Sequence, residues 1–175
     1  MSPRKILAMM TATAALIAGP VLTAEASTST AFSQQTRAAG LTAPQAAELQ
    51  QRVDAVLASD PQARQISANK LTVAGGELVV RAPGQTETRD LATPDTALAC
   101  DNGHLCIVDG RGYTYDYYRC GYYGFSGIGD GTFNNNQTSG TRARFYNSDG
   151  SERWSHVAKG TGTASWTPVY HIRPC

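Results

Sequence analysis

The chain has little of several things. Only 17% of its 175 residues are charged, 15 Lys and Arg against 14 Asp and Glu. No block of one sign occurs, so nothing calls for nucleic acid or an anionic membrane as partner. Its three histidines, His104, His156 and His171, are scattered, and no C-x2-C pair occurs. That argues against zinc. After the first two dozen residues no apolar run is long enough to cross a bilayer, so no stable membrane anchor is expected once they are removed. The first half lacks tyrosine, tryptophan and cysteine altogether: all of them lie from Cys100 onward.

What the opening does have is an export signal. Arg4 and Lys5 precede an apolar stretch, Ile6 to Leu22, and Ala24-Glu25-Ala26 fits the small-x-small cleavage pattern. Residues 1–26 are therefore read as a signal peptide, with Ser27 as the new terminus and a secreted, extracellular destination. Residues 27–40, rich in Ser, Thr, Ala and Gln, show no periodicity and are expected to be a disordered leader.

The four cysteines, Cys100, Cys106, Cys120 and Cys175, are an even set in an exported chain, which argues for two disulfides. Three pairings exist and the sequence does not choose among them. Cys100 with Cys106 is favoured because it closes a tight loop around Asn102-Gly103. Cys120 with Cys175 then ties down the chain end, which otherwise frays.

Residues 41–82 predict a helix and a hairpin. Thr42-Ala43-Pro44-Gln45 reads as a capping box with proline in the first turn. Ala46, Leu49, Val53, Val56 and Leu57 make one apolar stripe, and Asp60-Pro61 stops it. The helix is expected over Ala43 to Ser59. Lys70 to Val73 and Glu77 to Arg81 then flank Gly75-Gly76, a turn signal. So small a unit must dock on the rest or stay loose. Residues 83–98, with Pro83, Gly84 and Pro94, read as a linker open to cleavage, and the unit before it as a leader that assists folding or masks the mature surface.

From Ala99 onward the pattern is short β-branched and aromatic runs between glycines: Leu105 to Val108, Tyr113 to Tyr118, Thr141 to Tyr146, Ser151 to Val157 and Val169 to Ile172. This predicts a compact antiparallel β domain. Asn147-Ser148-Asp149-Gly150 is a hairpin turn, and alternation puts Ala143 and Phe145 inside and Arg142, Arg144 and Tyr146 outside.

Catalytic patterns are missing. Ser126 in Gly124-Phe125-Ser126-Gly127 is not a nucleophile elbow. Bridged cysteines are not nucleophiles, and Asp116 and Asp130 are carboxylates of a kind any chain offers. The chain is read as a non-enzyme.

Three features converge: Cys100-Asp101-Asn102-Gly103-His104-Leu105-Cys106-Ile107, a Tyr- and Gly-rich segment containing Cys120-Gly121-Tyr122, and Phe133-Asn134-Asn135-Asn136-Gln137-Thr138-Ser139 before a closing cysteine. Over residues 99–175 the chain resembles the secreted actinobacterial proteins grouped with peptidase inhibitor family I36. The resemblance implies a mainly β, βγ-crystallin-like Greek-key domain, here preceded by the helix-plus-hairpin unit. It also implies inhibition of an extracellular peptidase, metallopeptidases above all, through a rigid exposed loop. Candidate loops are Cys120 to Gly129 and Asn147 to Gly150. Tyr117, Tyr118, Tyr122 and Tyr123 are candidate partner-binding anchors; the competing reading has them packing the sheet. Asn134, Asn135, Thr138 and Ser139 fit the calcium motif of crystallin domains, with calcium the one cofactor considered; the competing reading is an Asx-type turn. The alternative function is a non-catalytic calcium-binding or structural module, or an antimicrobial one.

Overall fold

The computed structural model describes residues 23–175, with side chains from residue 29 onward. The expected signal peptide therefore lies outside the described residues, except for 23–26 of its backbone. No described helix is long and apolar enough to cross a membrane.

Two helices come first, α1 (Thr23–Ala38) and α2 (Ala43–Ser59). The helix α1 occupies the stretch expected to be a disordered leader, which corrects that expectation. It ends in a turn that Gly40 makes possible at φ 74°: Gly40 N–H donates to Arg37 O and Leu41 N–H to Thr36 O. Those two bonds form a Schellman cap, satisfying carbonyls that otherwise have no partner. Tertiary contacts supply what periodicity does not. Phe32 packs on the core, Thr36 is buried, and Gln35 Oε1 accepts from Ala68 N–H at 2.7 Å.

The helix α2 has the predicted bounds, and both halves of the Thr42–Gln45 capping box form. Its stripe buries Leu49, Val53 and Val56.

Eleven strands follow: β1 (Arg64–Gln65), β2 (Lys70–Val73), β3 (Gly76–Val79), β4 (Leu105–Val108), β5 (Thr114–Tyr117), β6 (Tyr123–Gly124), β7 (Asp130–Asn135), β8 (Arg142–Tyr146), β9 (Glu152–Val157), β10 (Gly160–Ser165) and β11 (His171–Arg173). They form two antiparallel sheets. The larger runs β1-β2-β3-β5-β4-β7-β10 and the smaller β6-β11-β8-β9. Both disulfides have the favoured pairing, Cys100–Cys106 and Cys120–Cys175. Such bridges fit an oxidising compartment.

The hairpin β2–β3 is not a separate unit. Strand β3 pairs with β5 from Gly76↔Tyr117 to Val79↔Thr114, so the hairpin extends the main sheet. Gly76 lets the backbones meet: a Cβ there would lie 1.8 Å from Asp116 O. One apolar core runs from Leu49, Val53 and Leu78 through Leu105, Ile107 and Tyr115 to Phe133, Phe145 and Trp166. In its second half Phe145 stacks on Trp154 at 3.9 Å, and Trp166 Nε1–H donates to Val108 O at 3.1 Å. The boundary expected at 83–98 is thus a change of composition and not a break in the core.

That segment crosses the rim of the large sheet as a strap. Its first part is fixed. Buried Asn69 donates Nδ2–H to Val80 O (2.8 Å) and Arg89 O (2.7 Å), and accepts from Leu91 N–H (2.9 Å). Asp90 takes a hydrogen bond from Ser67 Oγ at 3.0 Å and lies 3.6 Å from Lys70 Nζ. After Leu91, residues 92–99 are exposed.

Candidate functional site

The turn after β4, Asp109-Gly110-Arg111-Gly112, reaches across to a second loop, residues 125–129. The Asp109 side chain is fully buried. Its Oδ1 accepts from Arg111 N–H and Tyr113 N–H, both at 2.9 Å, which closes the turn. Its Oδ2 takes the Arg111 guanidinium (Nε 2.8 Å, Nη2 2.7 Å) and Ile128 N–H at 3.3 Å. A buried carboxylate is tolerable only when its oxygens are satisfied in this way. Arg111 Nη2 continues to Ser126 O (2.8 Å) and Tyr115 Oη (3.1 Å), and its guanidinium lies 4.3 Å from the Tyr113 ring centre. Burial pushes the Tyr115 phenol up to about 12, partly opposed by its contact with Ser126.

Further backbone groups of the loop are also tied. Phe125 N–H donates to Tyr170 O (2.8 Å), Gly110 N–H to Ile128 O (2.7 Å) and Gly129 N–H to Thr167 Oγ1 (2.9 Å). Trp166 N–H donates to Gly129 O at 2.8 Å. Phe125 itself is buried against Tyr115 and Trp166, while Ser126 is exposed and Ile128 is 46% exposed. An exposed apolar side chain therefore sits on a loop whose backbone is hydrogen-bonded at residues 125, 126, 128 and 129. This loop lies within the expected 120–129 stretch, but the residues that fix it, Asp109 and Arg111, were not singled out in the sequence. The Asp-Gly-Arg-Gly turn was the available signal, and only the fold shows what it grips.

The four tyrosines split. Tyr117 is buried at 2% exposure in the sheet core, so it is not a partner-binding residue, which corrects that expectation. Tyr123 stacks on Tyr117 (6.2 Å), donates its hydroxyl to Cys120 O (2.8 Å) and fills the space above Gly75. It braces the scaffold, as the packing alternative has it. Tyr118 and Tyr122 are exposed. Cys120–Cys175 and the bonds from Tyr118 and Arg119 N–H to Gly75 O hold the segment between them.

The Asn-rich motif begins inside β7, which separates its first two members. Asn134 faces outward on the large sheet. Asn135 is fully buried, donating Nδ2–H to His156 O and accepting from Gln137 Nε2–H. Neighbours in a strand point to opposite faces, so these two side chains do not converge. Thr138 and Ser139 are exposed beyond the strand. The other candidate loop, Asn147–Gly150, is a polar hairpin turn. Hydrogen bonds from Ser151 hold the Asp149 carboxyl below its ordinary range.

The outer face of the large sheet and the strap enclose a groove of about 1220 Å³. Its floor includes Val79, Thr114, Val108 and Thr132, and beside them Glu77, Asp116 and Asn134. His104 Nδ1 lies 2.7 Å from Asp116 Oδ1. Burial pushes the Asp116 carboxyl up, against the pull of His104. Asp130, the other carboxylate noted in the sequence, is exposed at the start of β7.

No protein family, curated protein or solved structure matches this chain.

Proposed function

We propose that the chain is a secreted, non-catalytic inhibitor of an extracellular peptidase, with metallopeptidases the first class to test, on a βγ-crystallin-like Greek-key scaffold. The observation that supports this most is the bracketed loop. Its backbone groups at residues 125, 126, 128 and 129 are held by partners from two other segments, 109–111 and 166–170, and Ile128 stands exposed on it. A loop already fixed in its bound shape loses little entropy on docking. The resemblance of residues 99–175 to secreted inhibitors supplies the partner class. The two disulfides agree with an extracellular site of action.

The test is inhibition of a peptidase panel, led by a thermolysin-like metallopeptidase, by the oxidised chain starting at Ser27. Calcium is present in one arm and chelated in the other. Saturable inhibition is expected at micromolar concentration or below. Ile128→Asp should weaken it about 30-fold or more, the scale of an interface hot spot, without changing the melting temperature. A folded, doubly bridged protein that slows no peptidase in either arm overturns the reading. A melting temperature that rises with calcium in such a protein moves the function to the calcium-binding module, with exposed Thr138 and Ser139 as the first ligands to mutate.

A further inference from the structure

Charge that is scattered in the sequence is gathered on the outer face of the small sheet. Strand alternation places Arg142, Arg144 and Tyr146 of β8 on that face. Arg173 of β11 lies directly opposite Arg144, and His171 opposite Tyr146. Like charges opposed across a ladder destabilise a sheet, and a single acid is paired there, Glu152 with Arg144 at 3.2 Å. The neighbouring hairpin adds Arg153, bonded to Asn147 Oδ1, and the acid Asp149, already engaged by Ser151. Arg142 and Arg173 are exposed. Arg142 Nη1–H donates to Ser155 Oγ at 3.0 Å, so each of the three arginines has one local contact and keeps other guanidinium donors unengaged.

The aromatic residues beside the arginines point to the kind of ligand. Tyr122 stacks on His171 (5.0 Å, 17°), meets Tyr146 edge-on (5.1 Å, 67°) and has the Arg173 guanidinium 5.9 Å from its ring centre. These rings stack on each other rather than lying open. A nucleobase needs an open ring face, so the surface is poor for single-stranded nucleic acid. It is rich in hydrogen-bond donors: three guanidinium groups, plus the hydroxyl of Tyr122, a residue 45% exposed. Arginines two apart on a strand stand about 7 Å apart, and those on adjacent strands about 5 Å. That spacing suits a chain with repeated anionic groups better than one small anion. Guanidinium forks match planar or tetrahedral oxyanions.

We propose that this face binds an anionic polysaccharide, with Arg142, Arg144 and Arg173 taking its carboxylate or sulfate groups. Such a site anchors the protein to an extracellular matrix or wall and is separate from the 125–129 loop.

The test measures binding of the full oxidised chain to heparin as probe, against neutral dextran and a single-stranded oligonucleotide, across a salt series. Binding to heparin and not to dextran is expected. The variant Arg142→Gln/Arg144→Gln/Arg173→Gln should raise the Kd at least tenfold and flatten the salt dependence. A control with the same charge loss elsewhere, Arg37→Gln/Arg64→Gln/Arg89→Gln, should stay within twofold. Near-UV circular dichroism confirms that both fold. Failure of the wild type to bind heparin, equal loss in the two variants, or equal binding of dextran overturns the proposal. Tighter binding of the oligonucleotide also overturns it and makes nucleic acid the partner. Peptidase inhibition, read on the same samples, should not change.

Discussion

Two irregular segments of this protein look alike in sequence and behave differently in the fold. Residues 125–129 and residues 86–99 are both rich in small and polar residues, and both lie on the surface. The first is gripped by a buried carboxylate, a guanidinium and groups of two other segments, 109–111 and 166–170. The second is gripped as far as Leu91 by Asn69 and Ser67, and its remainder rests exposed on the groove. Exposure alone therefore does not measure mobility. What matters is how many backbone groups have partners that are themselves fixed.

Each segment ends near a disulfide, and the largest expected effect lies there. Cys120–Cys175 spans 55 residues and begins the stretch that contains the bracketed loop. Cys100–Cys106 spans 6 and ends the strap. In the chain-entropy account, closure contributes about 4 kcal/mol for the first and about 2 kcal/mol for the second. Urea unfolding of Cys120→Ser/Cys175→Ser and Cys100→Ser/Cys106→Ser should show that order. Equal losses would mean that native contacts, and not loop length, set the contribution.

Asp109→Ala should follow, at about 3 kcal/mol, because it leaves Arg111 without its buried partner and releases Ile128 N–H. Hydrogen exchange is the sharper measurement. Ile128 and Gly129 amides should lose protection far more than residues 70–79 do. If protection falls evenly over the chain, the bracket is not what holds the loop. Truncating Asp95 in the strap, by contrast, should change stability by less than about 0.5 kcal/mol.

Much of the scaffold is legible in the sequence because local rules agree with the fold. The α2 stripe, its capping box and the hairpin at Gly75-Gly76 are each marked by residues that leave few alternatives. Strands β4, β5, β8, β9 and β11 carry the expected apolar alternation or aromatic runs. Strands β7, Asp-Gly-Thr-Phe-Asn-Asn, and β10, Gly-Thr-Gly-Thr-Ala-Ser, were not anticipated. Each has one residue larger than alanine and apolar, or none, and becomes a strand through its neighbours in the ladder. Helix α1 has the same cause: Phe32 and Gln35 find partners only in the fold. The bracketed loop was legible as a stretch and not as a mechanism. Nothing in Asp109-Gly110-Arg111 says that its carboxylate reaches Ile128, 19 residues on. The arginine face was equally hidden, since β8 and β11 are far apart in the chain.

Alkaline pH should loosen the bracket from within. Burial raises the phenols of Tyr113, Tyr115 and Tyr117, Tyr115 to about 12. Below pH 10 these groups are protonated in both the folded and the unfolded chain, so the stability they hold is fully present. Above it the unfolded chain loses protons first, and stability falls as pH rises from about 10 towards 12. Urea midpoints at pH 9 and 11 measure this. Tyr115→Phe should flatten part of the slope, and an unchanged slope would assign it to the other two tyrosines.

The smallest effect is expected where the strap is cut. A protease added to the native protein should cleave first within residues 92–99, where the backbone is exposed and few of its groups are bonded. The two pieces should nevertheless stay together. Strand β3 is paired along its length with β5, and α2 packs on the same core, so the cut crosses neither sheet nor core. The nicked protein should run as one species on a sizing column and melt within a few degrees of the intact one. Cleavage first at 125–129 would reverse the contrast between the two segments. Separation of the pieces after cleavage at 92–99 would make the strap the tie that holds the hairpin to the sheet, and would restore the division of the chain into a leader and a mature domain.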